Sequence, residues 1–314
     1  MWKATLYSTR IIYQPTVTLG SPAVILRRCV LFKGFSHRAQ GASHIKKNIV
    51  CQDAAAYYCD CNGKFSIAVI SDGHGGSSHF RSNEGSEIAV RETVAAIKEF
   101  IGRENDYIKK IFPKESDETI KRVNRNKALK QLESNIIYRW NEAVRRHYAE
   151  NSVTEDELER CGNKIFDKTE RIYGATLVAA AMTKKYWFAL QVGDGACVTI
   201  INEKTAESFI PDDDRLVFSF TTSLCDSDAI ENFRHYFGEK MPMGIIVSSD
   251  GVSNSFKEGR FLNFNCSVLN LFVSKDNAAA LEEVKALLPV ISEKGSKDDV
   301  SIAGIYFENV NRHN

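Results

Sequence analysis

Apolar residues fall along this chain in two rhythms. Short runs that suit buried or half-buried strands occupy VILRRCVLF (24–32), AAAYYC (54–59), FSIAVI (65–70), ATLVAAAM (175–182), KYWFALQV (185–192), ACVTII (196–201), GIIVS (244–248) and VSIAGIYF (300–307). Between about 84 and 170 the rhythm turns helical: Val90, Val94, Ile97 and Ile101 recur at helical spacing, as do Leu129, Leu132, Ile136, Trp140 and Val144. Thr154 and Glu157 fit a capping box opening a short helix that ends near Gly162. The charged stretch from Ile101 to Arg122 reads as a surface connection between the helices. Residues 202–240 show no period and carry the acidic run Asp212-Asp213-Asp214, which reads as a solvated loop. Phe264, Val268 and Leu271 predict a further helix, and ALEEVKALL (280–288) predicts another that closes before Pro289.

Strands, helices, strands, helices and a last strand do not alternate in the βαβ manner. The order predicts an α+β fold, antiparallel sheets with helices packed outside, and one domain over 1–314. Hydrophobic residues make up 43% and charged residues 26%, enough apolar content for a real core. A formal net charge of +1 gives no electrostatic footprint for nucleic acid or an anionic membrane. No apolar run approaches the ~20 residues needed to span a bilayer, and MWKATLYSTR does not read as a signal peptide. Eight cysteines are scattered, and Cys29 and Cys197 lie in apolar surroundings, which suits buried thiols in a reducing cytoplasm. Cys59 and Cys61 lack a second ligand pair at zinc spacing, and Asn62-Gly63 beside them suits a hairpin turn.

Four predicted strands end or begin on an aspartate. They give Ser71-Asp72-Gly73-His74-Gly75-Gly76, Val192-Gly193-Asp194-Gly195, Ser249-Asp250-Gly251 and Lys297-Asp298-Asp299-Val300. One Asp-Gly is an ordinary turn signal, but four from distant segments suggest a shared site for hard divalent cations, which prefer oxygen ligands. Gly73 lets a carbonyl turn toward a cation, and His74 beside it suits proton transfer near neutral pH. Asp250 and Asp298 complete such a cage, and paired cations ~3.5–4 Å apart can lower the pKa of a shared water toward ~7. His79, His147 and His235 have no motif around them and read as surface or core residues.

These segments together resemble the metal-dependent PPM-type, or type 2C, protein serine/threonine phosphatases. SDGHGG is similar to the family's Asp-Gly-His signature, YGATLVAA (173–180) to its Gly-Ser-Thr-Ala strand, and QVGDGACV to its Val-Gly-Asp-Ser strand. SSDGVSNSF resembles its Ser-Asp-Gly segment and SKDDVSIAGI its closing Asp-Asn strand; the likeness runs from about Gly41 to Phe307. It implies a central antiparallel β-sandwich flanked by helices in α-β-β-α layers, and a flap over about 202–240. It implies Mn²⁺ or Mg²⁺ as cofactor, two ions with Asp72 bridging, Gly73 supplying a carbonyl, and Asp250 and Asp298 on the second ion. His74 would donate a proton to the leaving serine or threonine oxygen. Gln52-Asp53 matches the family's Glu-Asp pair around metal-bound waters, and Asp194 matches a residue that helps hold a third, weaker ion in some members.

The chain departs from the pattern at Gln52, where glutamate is common, at Asn254, where aspartate is common, and at Asp299, where asparagine is usual. The last leaves the choice of ligand open between Asp298 and Asp299. The family's phosphate-gripping arginine has no clear counterpart; His44, Lys46 and Lys47 lie in that region. The implied activity is hydrolysis of phosphoserine and phosphothreonine in proteins by a metal-activated water, in the cytoplasm, opposite a kinase. The alternatives are a phosphatase-like module that binds phosphoprotein without turnover, and a two-metal phosphodiesterase.

Overall fold

The structure is a computed structural model that describes residues 31–103, 117–162, 168–213, 221–257 and 259–308. Ten strands build two five-stranded antiparallel sheets. One sheet holds β1 (Leu31–Ala39), β10 (Val300–Glu308), β9 (Gly244–Ser248), β6 (Ala196–Asn202) and β7 (Thr205–Glu207), in that order. The other holds β2 (Ala54–Cys59), β3 (Phe65–Ser71), β4 (Leu177–Thr183), β5 (Trp187–Val192) and β8 (Arg234–Gly238). β3, β4, β5 and β9 are buried along their whole length, which is why each reads as an unbroken apolar run rather than an alternation.

Nine helices and helical turns are described. The chain runs through α1 (Ala42–Lys47), α2 (Ser82–Gly102), α3 (Glu118–Glu150), α4 (Glu155–Arg160), α5 (Thr169–Ile172) and α6 (Ala229–Asn232). It closes with α7 (Asp250–Ser253), α8 (Arg260–Ser274) and α9 (Asn277–Lys294). Ile88, Ile97, Leu132, Ile136 and Trp140 of α2 and α3 pack with Val69, Ala179 and Phe188 on the outer face of the β2–β8 sheet. Val268, Leu269, Val284 and Leu288 of α8 and α9 cover Val198, Ile246 and Ile302 on the other sheet. Between the sheets lies a third core of Ala68, Ile70, Val178, Ala180, Ala189, Ile245, Val247 and Ala303. The layering is α-β-β-α, as the resemblance implies, and the helices pack outside antiparallel sheets, as the pattern predicts.

The structure departs from the pattern in three places. The strand expected over 24–32 is described only from Leu31, residues 24–30 lying outside the described residues, and it runs past its expected end to Ala39. Gly34, Ser36, His37 and Arg38 hid it, because an edge strand needs only its ladder, here nine partners from Leu31↔Glu308 to Ala39↔Val300. α9 does not close before Pro289 but continues to Lys294. Leu288 and Ile291 bury the inner face while Pro289 sits on the exposed face, where water meets the carbonyl that the missing N–H leaves free. The stretch 202–240 is not irregular throughout: it contributes β7, α6 and β8, and β8 pairs with β5 from Gln191↔Arg234 to Trp187↔Gly238. Asp213 faces Arg234 at 3.6 Å, and Asp214 lies outside the described residues, as does Cys29.

One side chain ties the helical region to the loop after β3. Arg81 is buried; its Nε and Nη2 donate to the two Glu157 oxygens at 2.7 and 2.8 Å, and Nη1 donates to the Asn151 carbonyl and the Tyr173 hydroxyl. Glu157 also closes the capping box with Thr154. The Arg81 hydrogen bond, foremost, holds the Glu157 carboxyl down at about 2, below its ordinary 4.5. A depressed carboxyl stabilises the fold fully above about 4.5, and that contribution fades as pH falls toward 2. Arg81→Ala is therefore expected to cost about 3 kcal/mol in urea unfolding at pH 7. Glu157→Gln should cost more at pH 7 than at pH 3; equal losses at both would show that the pair's charge contributes nothing.

Candidate metal centre and active-site cleft

The antiparallel order places the C-terminal ends of β3, β5 and β9 and the N-terminal end of β10 at one end of the sandwich. Asp72 follows β3, Asp194 follows β5, Asp250 follows β9, and Asp298 precedes β10. All four line one cleft of about 620 Å³, with His44, Gln52, Gly73, His74, His79, Thr176, Thr221 and Asp299. The loop carrying Asp72 is laid against the start of β4 as a short extra ladder. Gly73 bridges Ala175, the Thr176 N–H donates to the Asp72 carbonyl at 2.8 Å, and the Asp72 N–H donates to the Thr176 hydroxyl at 3.1 Å. The His74 N–H donates to the Gly174 carbonyl at 3.1 Å. The backbone at Asp72, Gly73 and His74 is thus set by hydrogen bonds and a bridge to residues 174–176.

The carboxyls of Asp72 and Asp250 meet within hydrogen-bond reach. Burial, followed by the charges of Asp53 and Asp250, pushes the Asp72 carboxyl well above the usual carboxylate range. Asp250 is also raised, by burial first and then by the charge of Asp194. Asp53 sits behind the cleft wall, fully buried, and burial pushes it up to about 7. The hydroxyls of Ser249 and Ser301 beside it oppose that rise, but neither reaches it with hydrogen-bond geometry, so both carboxylate oxygens lack a partner. Unpartnered buried oxygens and crowded carboxyls are what a hard cation relieves, and every donor here is oxygen. The residues fit divalent cations on that ground. Among the described residues no three acidic, histidine or cysteine side chains converge closely enough to hold one ion alone. The Gly73 carbonyl and water would have to complete each ligand sphere, as cations that take six or more oxygens allow.

Asp298 and Asp299 divide cleanly. The Asp298 side chain is 55% exposed and turns to the cleft, whereas that of Asp299 is 3% exposed. Asp299 accepts from the Gly41 N–H and the Gln52 N–H, both at 2.6 Å, and lies 3.0 Å from His44 Nδ1. Asp299 thus anchors the segment that carries His44 and Gln52, and leaves Asp298 as the carboxylate available to a cation. Asn254 donates to Asp250 Oδ2 at 3.0 Å, and Thr221 donates to Asp194 Oδ2. Of the three residues expected near a phosphate, only His44 lines the cleft; Lys46 and Lys47 are exposed on α1 and do not. The sequence reading missed His79, Thr176 and Thr221. His79 read as surface or core, yet it stands in the cleft with its ring 5.2 Å from that of His74. Burial, then the neighbouring His79, pushes His74 down to about 4. His147 bonds the Tyr173 hydroxyl at 2.8 Å and His235 bonds Glu133 at 2.7 Å, both away from the cleft.

Residues 40–287 match the family model described as Protein phosphatase 2C, and the chain belongs to that family. The fold is similar to that of several solved structures. A bacterial serine phosphatase superimposes with a TM-score of 0.53 at 16% identity, over 88% of this chain and 98% of that one. Stp1 from Staphylococcus aureus, a serine/threonine phosphatase, gives 0.51 at 16%, over 95% and 100%. PppA, titled a key regulatory component of T6SS in Pseudomonas aeruginosa, gives 0.51 at 16%, over 88% and 98%. At such identities the likeness is one of fold. No curated protein matches the sequence significantly.

Because the charged form of Asp72 is penalised in the folded state, this carboxyl lowers stability at neutral pH when no cation offsets it. Asp72→Asn is expected to raise the melting temperature in excess chelator at pH 7.5 by roughly 2–4 °C, the equivalent of about 1–2 kcal/mol. It should also abolish the further rise that Mn²⁺ gives the parent protein. A lower melting point in chelator would rule out crowding of charge at Asp72.

Proposed function

We propose that this member of the protein phosphatase 2C family releases phosphate from phosphoserine and phosphothreonine in proteins, with two Mn²⁺ or Mg²⁺ ions held at the strand ends. The carrying observation is the convergence of Asp72, Asp250 and Asp298 from three separate strands on one cleft, beside His74. Asp72 would be shared between the two ions, a reading supported by its nearness to Asp250 and by the charges of Asp53 and Asp298 upon it. The Gly73 carbonyl completes its side of the site, Gln52 orders water at the rim, and Asp53 supplies charge from behind. Asp194, held by Thr221, serves a third and weaker ion. Bound cations supply charge against the phosphoryl oxygens and an activated water for in-line attack.

The chain's own residues handle the rest. His44, fixed by Asp299, meets the phosphate at the cleft wall. His74, which burial keeps neutral in the free protein, takes up a proton from solvent when a phosphate dianion beside it raises its proton affinity, and gives that proton to the departing serine or threonine oxygen. The whole chain works as one phosphatase domain in the cytoplasm, on a phosphoprotein made by an opposing kinase. No helix among the described residues is long and apolar enough to cross a membrane.

A phosphothreonine peptide should lose phosphate in a Mn²⁺-dependent manner. Asp72→Asn or Asp250→Asn should each lower turnover at least ~100-fold, about 2.7 kcal/mol of barrier. Turnover that persists in both variants with chelator present would defeat this mechanism.

A further inference from the structure

We propose that His79 is a positioning residue for the reaction: its ring fixes the orientation in which the His74 imidazole meets the leaving oxygen. This rests on the reading of His74 as the proton donor. Among the described residues, no side chain or carbonyl hydrogen-bonds a ring nitrogen of His74, so nothing polar fixes its rotation about the Cβ–Cγ bond. What lies against it is His79, with ring centroids 5.2 Å apart and planes crossed at 61°, an edge-on contact.

His79 itself is held at both ends. Its Nδ1 donates to the Arg171 carbonyl at 2.5 Å, and a carbonyl partner fixes the ring's proton on that nitrogen. Its backbone N–H donates to the Gly76 carbonyl at 3.2 Å, and its own carbonyl accepts from the Ser82 N–H at 2.9 Å. The return of the chain depends on Gly75 and Gly76, at φ 65° and 75°, two successive left-handed residues that a side chain would strain. The same double glycine that follows the metal-site loop therefore brings a second imidazole back onto the first. Gly174 closes the arrangement from β4's side: a methyl there would sit 2.5 Å from His79 Nδ1 and 2.9 Å from His74 Cδ2. The two rings and the Gly174 backbone form one packed unit, tied through the Arg171 carbonyl to α5 and through the His74 N–H to residue 174.

A proton donor matters in proportion to the basicity of the group that leaves. A serine or threonine alkoxide needs the proton; p-nitrophenolate departs without it. Misplacing the donor should therefore show as a selective loss, whereas general loosening of the cleft should slow both substrates alike. The experiment measures kcat on a phosphothreonine peptide and on p-nitrophenyl phosphate, at saturating Mn²⁺, for the parent protein and four variants. His74→Ala is the reference. His79→Ala removes the ring, His79→Asn keeps a donor for the Arg171 carbonyl without the ring edge, and Gly174→Ala keeps both histidines but crowds them. The ratio of peptide to p-nitrophenyl phosphate turnover is expected to fall about ten-fold or more in both His79 variants and in Gly174→Ala, and further in His74→Ala. Melting curves show which variants are folded, and any one folded variant at position 79 or 174 suffices. If His74→Ala leaves the ratio unchanged, the proton-donor reading fails and takes this inference with it. If His74→Ala lowers the ratio while the folded variants at 79 and 174 do not, the positioning role alone is overturned.

Discussion

The constraint on which the structure turns is electrostatic: Asp53, Asp72, Asp194, Asp250 and Asp298 crowd one end of a β-sandwich. Two like charges ~4 Å apart oppose each other by about 4 kcal/mol at the effective dielectric of a protein surface, and more where water is excluded. Burial first, and the repulsion after it, raise the carboxyls of Asp53, Asp72 and Asp250. A sequence under no demand but stability would not keep this cluster. The arrangement makes sense as a holder for divalent cations, which turn the same repulsion into affinity.

Holding it together requires that two sheets meet at a fixed offset, because Asp72 and Asp194 hang from one sheet and Asp250 and Asp298 from the other. The core between the sheets is built largely of small and β-branched residues, among them Ala68, Ala180, Ala189 and Ala303 beside Val178 and Val247. Such residues let the sheets approach closely and leave few alternative packings. The ladder registers then settle which residue falls at each strand end: Ser248 pairs with both Ile302 and Ala196, so β9, β10 and β6 reach the cleft in step.

Two of the residues that depart from the type 2C pattern, Asp299 and Asn254, hold their neighbours in place at the cleft. Asp299 gives its two oxygens to backbone N–H groups of Gly41 and Gln52 and faces His44. Asn254 steadies one oxygen of Asp250, one turn along α7. The carboxylate gained at Asp299 offsets the one lost at Asn254, Gln52 leaves the site one negative charge short, and the hydrogen bonds of Asp299 and Asn254 decide which acids remain free for a cation.

The sequence by itself determined the strands of both sheets' interiors, the two long helices and the acidic strand ends, because burial on both faces writes continuous apolar runs and helices repeat every 3.6 residues. Edge strands β1, β7 and β8 left weaker marks, since an edge is half-solvated and its residues answer to the ladder rather than to a core. The passage of α9 through Pro289 was likewise a decision of packing, where Leu288 and Ile291 outweigh one missing hydrogen bond. Only the tertiary structure could separate Asp298 from Asp299, set Lys46 and Lys47 aside from the cleft, and bring His79 onto His74. Neighbouring carboxyls in one loop can turn to opposite sides, and rings five residues apart meet only when a turn returns the chain. Such outcomes depend on direction in space, and a linear pattern records spacing alone.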